Sequence, residues 1–371
     1  MQESANFFQT FFNLVLWIMT FVLIKPALRY PYTISKHRRF LVYFLMILFC
    51  IYPFWGGDYF HYKEYFIEYK SGGYCPLEDS YKWILDNLGY SYSFFRLIVW
   101  GMALFILFKA YKMIEIRYEL ALFYFIALYL TTFSYARVSL SMAFILLGLV
   151  IIIRQKSSLF FNVIISIILF SFAELFHRSA IIGIIAALIS LFLINANKKR
   201  IILICFIFPI IVLSFAFLLN QFLTFDLNGD TFVTDRHRDA YFSSDVDDLS
   251  FPGWGPYISI LLSRVPLICI AILYIWVIFK GYFYIFPRSV RLVSSYGFVI
   301  IILAIVFMFD FGINTYVLYY RTLNFAILPS AVFLAALKQY GINLKLINII
   351  YYVSLWGVFY ILIYRTYCTF F

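Results

Sequence analysis

Long apolar runs constrain this chain more than any other feature of its sequence. Residues 201–219 and 292–309 contain no charged side chain, and each run is close to the roughly 20 residues that an α-helix needs to cross a bilayer core. Only 13% of the 371 residues are charged, whereas soluble domains carry about a quarter. So little polar surface cannot cover a water-exposed globule, and the sequence therefore predicts an integral membrane protein.

The order of apolar runs and polar breaks predicts an all-α polytopic membrane protein with about twelve transmembrane helices. Residues 118–153 and 158–194 are each about twice a bilayer crossing, so each is divided at a polar break, at 134–137 and at 177–179. The whole chain, residues 1–371, is expected to form a single transmembrane domain. The predicted spans are residues 7–24, 40–54, 91–108, 118–133, 138–153, 158–176, 180–194, 201–219, 257–279, 292–309, 322–337 and 346–363.

Lys and Arg concentrate in cytoplasmic loops, and this rule orients the predicted helices. If residues 25–39 are cytoplasmic, the inner loops hold 18 of the 29 basic residues and only two acidic ones, Glu115 and Glu119. Both termini are then extracytoplasmic, and residues 55–90 and 220–256 form two large extracytoplasmic loops. The net charge of +11 is thus a topology signal, and we expect no nucleic-acid partner.

Ionisable residues in apolar spans are candidates for function, because each costs free energy in the hydrocarbon core. Arg137, Arg264 and Arg321 all lie near the predicted outer boundary. A guanidinium keeps its charge at any depth and matches phosphate oxygens with paired hydrogen bonds, which favours a pyrophosphate site. Each arginine taken singly also fits a simpler role, as an anchor that reaches the headgroups or, for Arg264, as the partner of Asp310.

His177 and Glu174 are three residues apart and share one helical face if the helix extends that far. The Glu174 carboxylate would then orient one ring nitrogen of His177 and leave the other as a base toward a sugar hydroxyl. The alternative is a helix-end histidine whose polar atoms bond to the backbone. Arg178 is either a pyrophosphate ligand or a headgroup anchor, and Ser179 is expected to cap the next helix.

The first large outer loop opens with Gly56-Gly57-Asp58-Tyr59 and reaches Tyr62 three residues later. The glycines permit a tight turn, which would place Asp58 just above the membrane to bind sugar hydroxyls, act as a base or cap the loop. Tyr62 is a candidate for stacking on a sugar ring. Asp245 and Asp247 match an Asp-x-Asp metal pair, but their acidic loop favours solvated surface. The sequence therefore predicts neither a metal nor a cofactor.

Four segments of the chain carry a family resemblance. They are Gly57-Asp58-Tyr59-x-x-Tyr62, Ala136-Arg137 continuing through Leu140-Ser141-Met142-Ala143, Phe176-His177-Arg178-Ser179-Ala180, and Arg321-Thr322-Leu323-Asn324-Phe325 running to Pro329. In this order they resemble the Wzy-type polysaccharide polymerases, in particular the EpsG-like branch. Val138 stands where the family usually has Gln, and Glu174 lies outside the family pattern.

The resemblance implies a glycosyltransferase that joins oligosaccharide repeat units of an O-antigen, capsule or exopolysaccharide on the outer face of the bacterial cytoplasmic membrane. The growing glycan, linked to undecaprenyl pyrophosphate, would be transferred onto the distal sugar of a new lipid-linked unit. The implied partners are these donor and acceptor glycans, membrane lipids and a chain-length regulator protein. The four arginines would stabilise the departing pyrophosphate without a metal, and His177 or Asp58 would take the acceptor proton.

Two other classes of membrane protein compete with this interpretation. A flippase for lipid-linked oligosaccharides must pass a polar glycan through its centre, so charged groups would be expected at mid-membrane and at both faces. Another outer-face glycosyltransferase would use a lipid monophosphate sugar, commonly with a metal, or would be the ligase that attaches the finished polymer. The ligase shares too much of the expected chemistry to be separated by sequence.

Overall fold

The structure is a computed structural model, and it describes residues 7–29, 34–51, 57–73, 78–88, 90–129, 136–154, 158–195, 197–207, 209–210, 214, 255–307, 322–342 and 345–354. Within these ranges the chain is helical and has no β-strand. The predicted all-α class is therefore confirmed.

The helices are α1 (Phe7–Arg29), α2 (Lys36–Ile51), α3 (Gly57–Lys70), α4 (Asp79–Leu88), α5 (Tyr92–Met113), α6 (Tyr118–Tyr129), α7 (Ala136–Ile152), α8 (Leu159–Phe176), α9 (Ala180–Phe192), α10 (Lys198–Ile202, continued by a π-helical turn Leu203–Ile207), α11 (Gly255–Phe279), α12 (Arg288–Phe307) and α13 (Ile327–Gln339), with a 3₁₀ turn at Tyr282–Ile285. Residues 322–324 form a helical turn before α13, and residues 345–354 are also helical.

Four helical segments among the described residues are long and apolar enough to cross a membrane. They are Tyr92–Met113, Leu159–Phe176, Arg288–Val306 and Thr322–Gln339, and further apolar helices are shorter. This supports a membrane protein, while the number of about twelve spans stays a prediction. The predicted loop at residues 220–256 lies almost entirely outside the described residues.

The apolar side chains of α9 point outward, as expected for a helix that faces lipid. Ile181, Ile185, Leu188 and Phe192 are exposed and recur at helical spacing, so they form one stripe. The opposite face is made of small residues that are buried, namely Ala180, Gly183, Ala186, Ala187 and Ser190. Small residues let helix backbones approach closely in membranes. Helix α9 therefore presents bulky side chains outward and a flat face to its neighbours.

Helices α6 and α13 lie at the centre of the bundle. Residues 120–128 of α6 and 327–337 of α13 are all buried, and a helix that is buried all round belongs to the interior of a bundle. The two run antiparallel, since the backbone N–H of Arg117 before α6 donates to Gln339 Oε1 at the end of α13, at 3.0 Å. The end of α6 therefore lies toward the start of α13.

Helices α7 and α8 form an antiparallel pair through small residues. The Ser166 hydroxyl donates to the carbonyl of Gly148 at 2.8 Å, and the Ser141 hydroxyl donates to the carbonyl of Ala173 at 2.7 Å. A Cβ added to Gly148 would lie 2.7 Å from the Phe170 ring, so a larger residue there would displace the ring. The start of α7 thus lies beside the end of α8.

The predicted break at residues 177–179 is confirmed by the backbone. Helix α8 ends at Phe176, and His177 follows in an extended conformation with φ −162° and ψ 116°. Ser179 occupies the N-cap position of α9, but its hydroxyl makes no capping hydrogen bond. The break therefore turns the chain without the side-chain cap that the sequence predicts.

Part of the predicted first outer loop is folded. Helices α3 and α4 lie within residues 55–90 and are held together by two hydrogen bonds. The Tyr69 hydroxyl donates to Asp86 Oδ2 at 2.9 Å, and Lys70 Nζ donates to the carbonyl of Leu85 at 2.6 Å. These contacts give the segment a defined structure, which allows it to place side chains against the bundle.

Candidate functional site

Several helices meet at Gly183, the fourth residue of α9. A Cβ added there would lie 2.7 Å from Ile145 Cδ1 of α7 and 3.1 Å from both Phe325 Cδ1 and the Tyr296 hydroxyl of α12. A larger residue would push these side chains apart, so the glycine permits the close approach. The start of α9 is thereby fixed against α7, α12 and the turn before α13.

This contact brings two of the four motif segments together. Ser179 lies four residues before Gly183 and on the same helical face, directly after His177 and Arg178. Thr322 and Asn324 lie immediately before Phe325 along the chain. The segments 176–180 and 322–325 therefore converge at one end of the bundle.

The start of α7 lies at the same end. The Phe144 and Phe176 rings stack with centroids 5.9 Å apart, and the bond from Ser141 to Ala173 lies one turn further toward the start of α7. Arg137 is the second residue of α7, so its backbone lies near the end of α8. We call this region the His177 end of the bundle, formed by the end of α8 and the starts of α7, α9 and the segment 322–339.

His177 is buried at this end and pairs with a carboxylate from a distant part of the chain. Its Nδ1 atom lies 3.2 Å from Glu78 Oε1, and the two side chains are only 7% and 12% exposed. An ionised carboxylate can only accept a hydrogen bond, so an ionised Glu78 requires Nδ1 to be the donor, and a neutral ring would then hold its lone pair on Nε2. The pair thus has the arrangement of a base with an orienting carboxylate.

The segment that carries Glu78 is docked firmly onto the end of α8. The Ser80 hydroxyl donates to the carbonyl of Leu175 at 2.7 Å. The Tyr81 and Phe176 rings pack edge to face, with their centroids 5.2 Å apart. Tyr81 is completely buried. These contacts hold Glu78 beside His177, so the carboxylate is positioned by the fold of the segment around it.

Glu174 is not the carboxylate beside the His177 ring. The predicted pairing required the helix to continue through residue 177, but α8 ends at Phe176 and the extended backbone carries His177 off the helical face. The Glu174 side chain is exposed, and its backbone carbonyl accepts from the His177 N–H at 3.1 Å. The carboxylate that contacts the His177 ring in the structure is that of Glu78.

The remaining predicted residues are placed only in part. Arg178, next to His177 in the chain, is exposed. Tyr62 is half-buried, and its ring packs edge-on to that of Tyr65 with the ring centroids 6.0 Å apart. Asp58 is the second residue of α3 and Arg264 lies within α11. The structure does not describe the side chains of Asp58, Arg137 and Arg264. Arg321 lies wholly outside the described residues.

Sequence reasoning missed two charged residues in this region. Arg96 of α5 is fully buried, and its guanidinium carbon lies 5.9 Å from the centre of the Tyr92 ring. A charged residue within the apolar run 91–108 was itself a signal of function. Glu78 gave no such signal, because it meets His177 only through tertiary structure.

The described residues contain no group of three or more His, Cys, Asp or Glu side chains that could hold a metal ion. Among the described side chains at the His177 end, Arg178 carries a positive charge and is exposed. The described side chains there thus offer a buried histidine in contact with a carboxylate, next to an exposed arginine.

Comparison with known proteins identifies the family. Neither the curated proteins nor the solved structures include a match to this chain. The EpsG family matches residues 37–370, which is most of the chain and contains all four motif segments. Together with its apolar helices, this match shows that the chain belongs to the EpsG family of polysaccharide polymerase-like membrane proteins.

Proposed function

We propose that this protein is a polysaccharide polymerase that joins oligosaccharide repeat units carried on undecaprenyl pyrophosphate. The reaction takes place on the outer face of the bacterial cytoplasmic membrane, with both chain termini on that face. One observation carries the proposal: the starts of α7, α9 and the segment 322–339 converge on a buried histidine–carboxylate pair. In the sequence, an arginine of the family-like segments stands in or shortly before each of these starts, namely Arg137, Arg178 and Arg321.

In the proposed reaction, a hydroxyl of the acceptor sugar attacks the anomeric carbon of the donor glycan. The bond from that carbon to the pyrophosphate oxygen breaks, and undecaprenyl pyrophosphate leaves with the electron pair. The acceptor proton passes to His177 Nε2, while Glu78 on Nδ1 stabilises the imidazolium that forms. Asp58 is the alternative base, and Tyr62 is proposed to contact the glycan.

The arginines serve the leaving group in this scheme. Negative charge develops on the pyrophosphate as the glycosidic bond breaks, and fixed guanidinium groups stabilise that charge more strongly in the transition state than in the bound substrate. Arg137, Arg178 and Arg321 are proposed as these ligands, with Arg264 as a fourth. Because they supply the charge, the reaction should continue in EDTA, unlike that of a metal-dependent transferase.

The surface glycan of a deletion strain tests this function. Without the gene, the glycan should collapse on a gel from a ladder to the carrier plus a single repeat unit, because units are still made, flipped and attached but not joined. The gene supplied in trans should restore the ladder. Loss of all attached glycan would instead indicate a flippase, a ligase or an earlier transferase.

A further inference from the structure

Polar side chains without hydrogen bonds gather beside the His177 end. Thr322 and Asn324 are 1% and 0% exposed, and Tyr296 is 1% exposed. Within the described part of the chain, Thr322 Oγ1, both amide atoms of Asn324 and the Tyr296 hydroxyl have no hydrogen-bond partner. The Ser179 hydroxyl is likewise buried and unbonded there. Five polar atoms thus lack partners in a region of closely packed helices.

These atoms belong to one place in the fold. The Tyr296 hydroxyl and Phe325 Cδ1 each lie 3.1 Å from the same point, the Cβ position of Gly183. Asn324 adjoins Phe325 in the chain, and Thr322 lies two residues before Asn324. Ser179 is one helical turn before Gly183 on the same face. The Gly183 contact therefore lies beside the Tyr296 hydroxyl and close along the chain to the other three residues, and we call these four residues the cluster.

Buried polar atoms without partners are uncommon, because each loses its hydrogen bonds to water and gains none in return. A buried asparagine with both amide atoms unbonded has lost a donor group and an acceptor together. An apolar side chain of similar branched shape, such as leucine, would not carry this cost. The described part of the chain supplies no partner for these groups, which indicates that they serve a bound group.

The chemistry of the cluster indicates which group this is. The cluster consists of three hydroxyls and one amide, and none of its side chains is charged. An amide that donates and accepts, together with hydroxyls that do both, matches the neighbouring hydroxyls of a sugar ring. Along the chain, charged residues adjoin the cluster, since Arg178 precedes Ser179 and Arg321 precedes Thr322.

We propose that Asn324, Thr322, Tyr296 and Ser179 form a subsite for the sugar that is linked directly to pyrophosphate, with Asn324 at its centre. The inference rests on the proposed function and adds the residues that hold this sugar next to the arginines. Since Asn324 has no accessible surface, a sugar can reach it only after the starts of α9 and of the segment 322–339 move apart. Binding of the glycan and opening of this contact are therefore coupled.

Two substitutions that remove polar atoms without removing volume test the subsite. Asn324→Leu and Thr322→Val should each reduce surface polymer at least tenfold in a complemented deletion strain. For Thr322→Val, which conserves volume, the melting temperature of the detergent-solubilised protein should stay the same or rise, because an unbonded buried hydroxyl is replaced by a methyl group. A residue with a merely structural role would show the opposite pattern, with a lower melting temperature and less protein in the membrane.

Ser330→Ala is the matched control. The Ser330 hydroxyl is also buried and unbonded among the described residues, but it lies six residues beyond Asn324 along the helix, roughly 9 Å at 1.5 Å per residue. This variant should keep a normal polymer ladder. Equal loss of polymer in Ser330→Ala would mean that any change in this helix stops the reaction, and would overturn the subsite.

The outcomes separate this inference from the proposed function. If the unmodified gene fails to restore a ladder, the proposed function is wrong, whatever the variants do. If the unmodified gene restores the ladder and Asn324→Leu restores it equally, the polymerase stands and the subsite is overturned. Should Asn324→Leu fail to accumulate, Thr322→Val decides: lost polymer at an unchanged melting temperature supports the subsite, and a normal ladder overturns it.

Discussion

The Nδ1 atom of His177 lies 3.2 Å from Oε1 of Glu78, although 99 residues separate the two along the chain. The pair joins the segment before α4 to the break between α8 and α9. It therefore links the predicted first outer loop to the helix ends where the family-like segments converge. A carboxylate held in this way fixes the orientation and the tautomer of the imidazole ring.

The identity of the orienting carboxylate can be tested with two matched substitutions. Glu78→Gln keeps the shape of the side chain but removes its charge, so it should lower the amount of surface polymer about 10-fold or more, since the imidazolium loses its stabilising partner. Glu174→Gln should leave the ladder nearly unchanged, because the Glu174 side chain is exposed. Loss of polymer in Glu174→Gln alone would restore the pairing expected from sequence.

The base is tested by His177→Gln beside Asp58→Asn. Removal of a general base typically slows a reaction about 10²–10⁴-fold, so His177→Gln should reduce the ladder to the carrier with a single repeat unit. An immunoblot of the membrane fraction should show the variant at normal abundance. If Asp58→Asn abolishes polymer while His177→Gln retains it, Asp58 is the base and His177 has a structural role.

Two arginines near opposite ends of α7 provide a test substitution and a matched control for the proposed pyrophosphate site. Arg137→Ala removes an arginine at the His177 end and should lower polymerisation about 10²–10³-fold, the usual effect of losing a charge-stabilising donor. Arg154→Ala changes an exposed arginine just beyond the other end of α7 and should have little effect. Arg321→Ala should behave as Arg137→Ala, and near-normal chain lengths in both would contradict the site.

The convergence at Gly183 predicts a packing effect. Gly183→Ala would place a Cβ 2.7 Å from Ile145 Cδ1, and such overpacking costs about 1–3 kcal/mol. We expect a lower melting temperature together with a shorter ladder. Gly101→Ala in α5 is the control, since no described atom lies within 4 Å of its added Cβ. It should be neutral or slightly stabilising. Equal melting temperatures for the two variants would show that the helices do not meet closely at Gly183.

The sequence predicted the parts of the fold that depend on local patterns. The all-α class follows from the apolar runs, and the break at 177–179 follows because a run of 37 residues, 158–194, is too long for one crossing. The observed helix ends differ from the ends of the predicted spans by a few residues. Helix α5, for example, extends to Met113, whereas the predicted span ends at residue 108. The helices α3 and α4 were missed because their polar residues within 55–90 are also typical of a loop.

The candidate site was predicted less completely, for a physical reason. His177 was found because a histidine at the end of an apolar run stands out in sequence. Its partner was assigned to Glu174 by helical spacing, and that spacing ceased to apply when the backbone became extended at His177. The place of Glu78 beside His177 and the cluster around Asn324 both depend on contacts between distant segments of the chain. Local sequence patterns do not predict such contacts.

The most direct test is reconstitution with no other protein present. The purified protein is placed in lipid vesicles with undecaprenyl-pyrophosphate-linked repeat units, and the products are separated by length, with the His177→Gln variant as the control. The account predicts glycans of two or more units and release of undecaprenyl pyrophosphate in equal number to the linkages formed, with neither product from the variant. Repeat units that cross the bilayer but stay single would contradict the polymerase and establish a flippase.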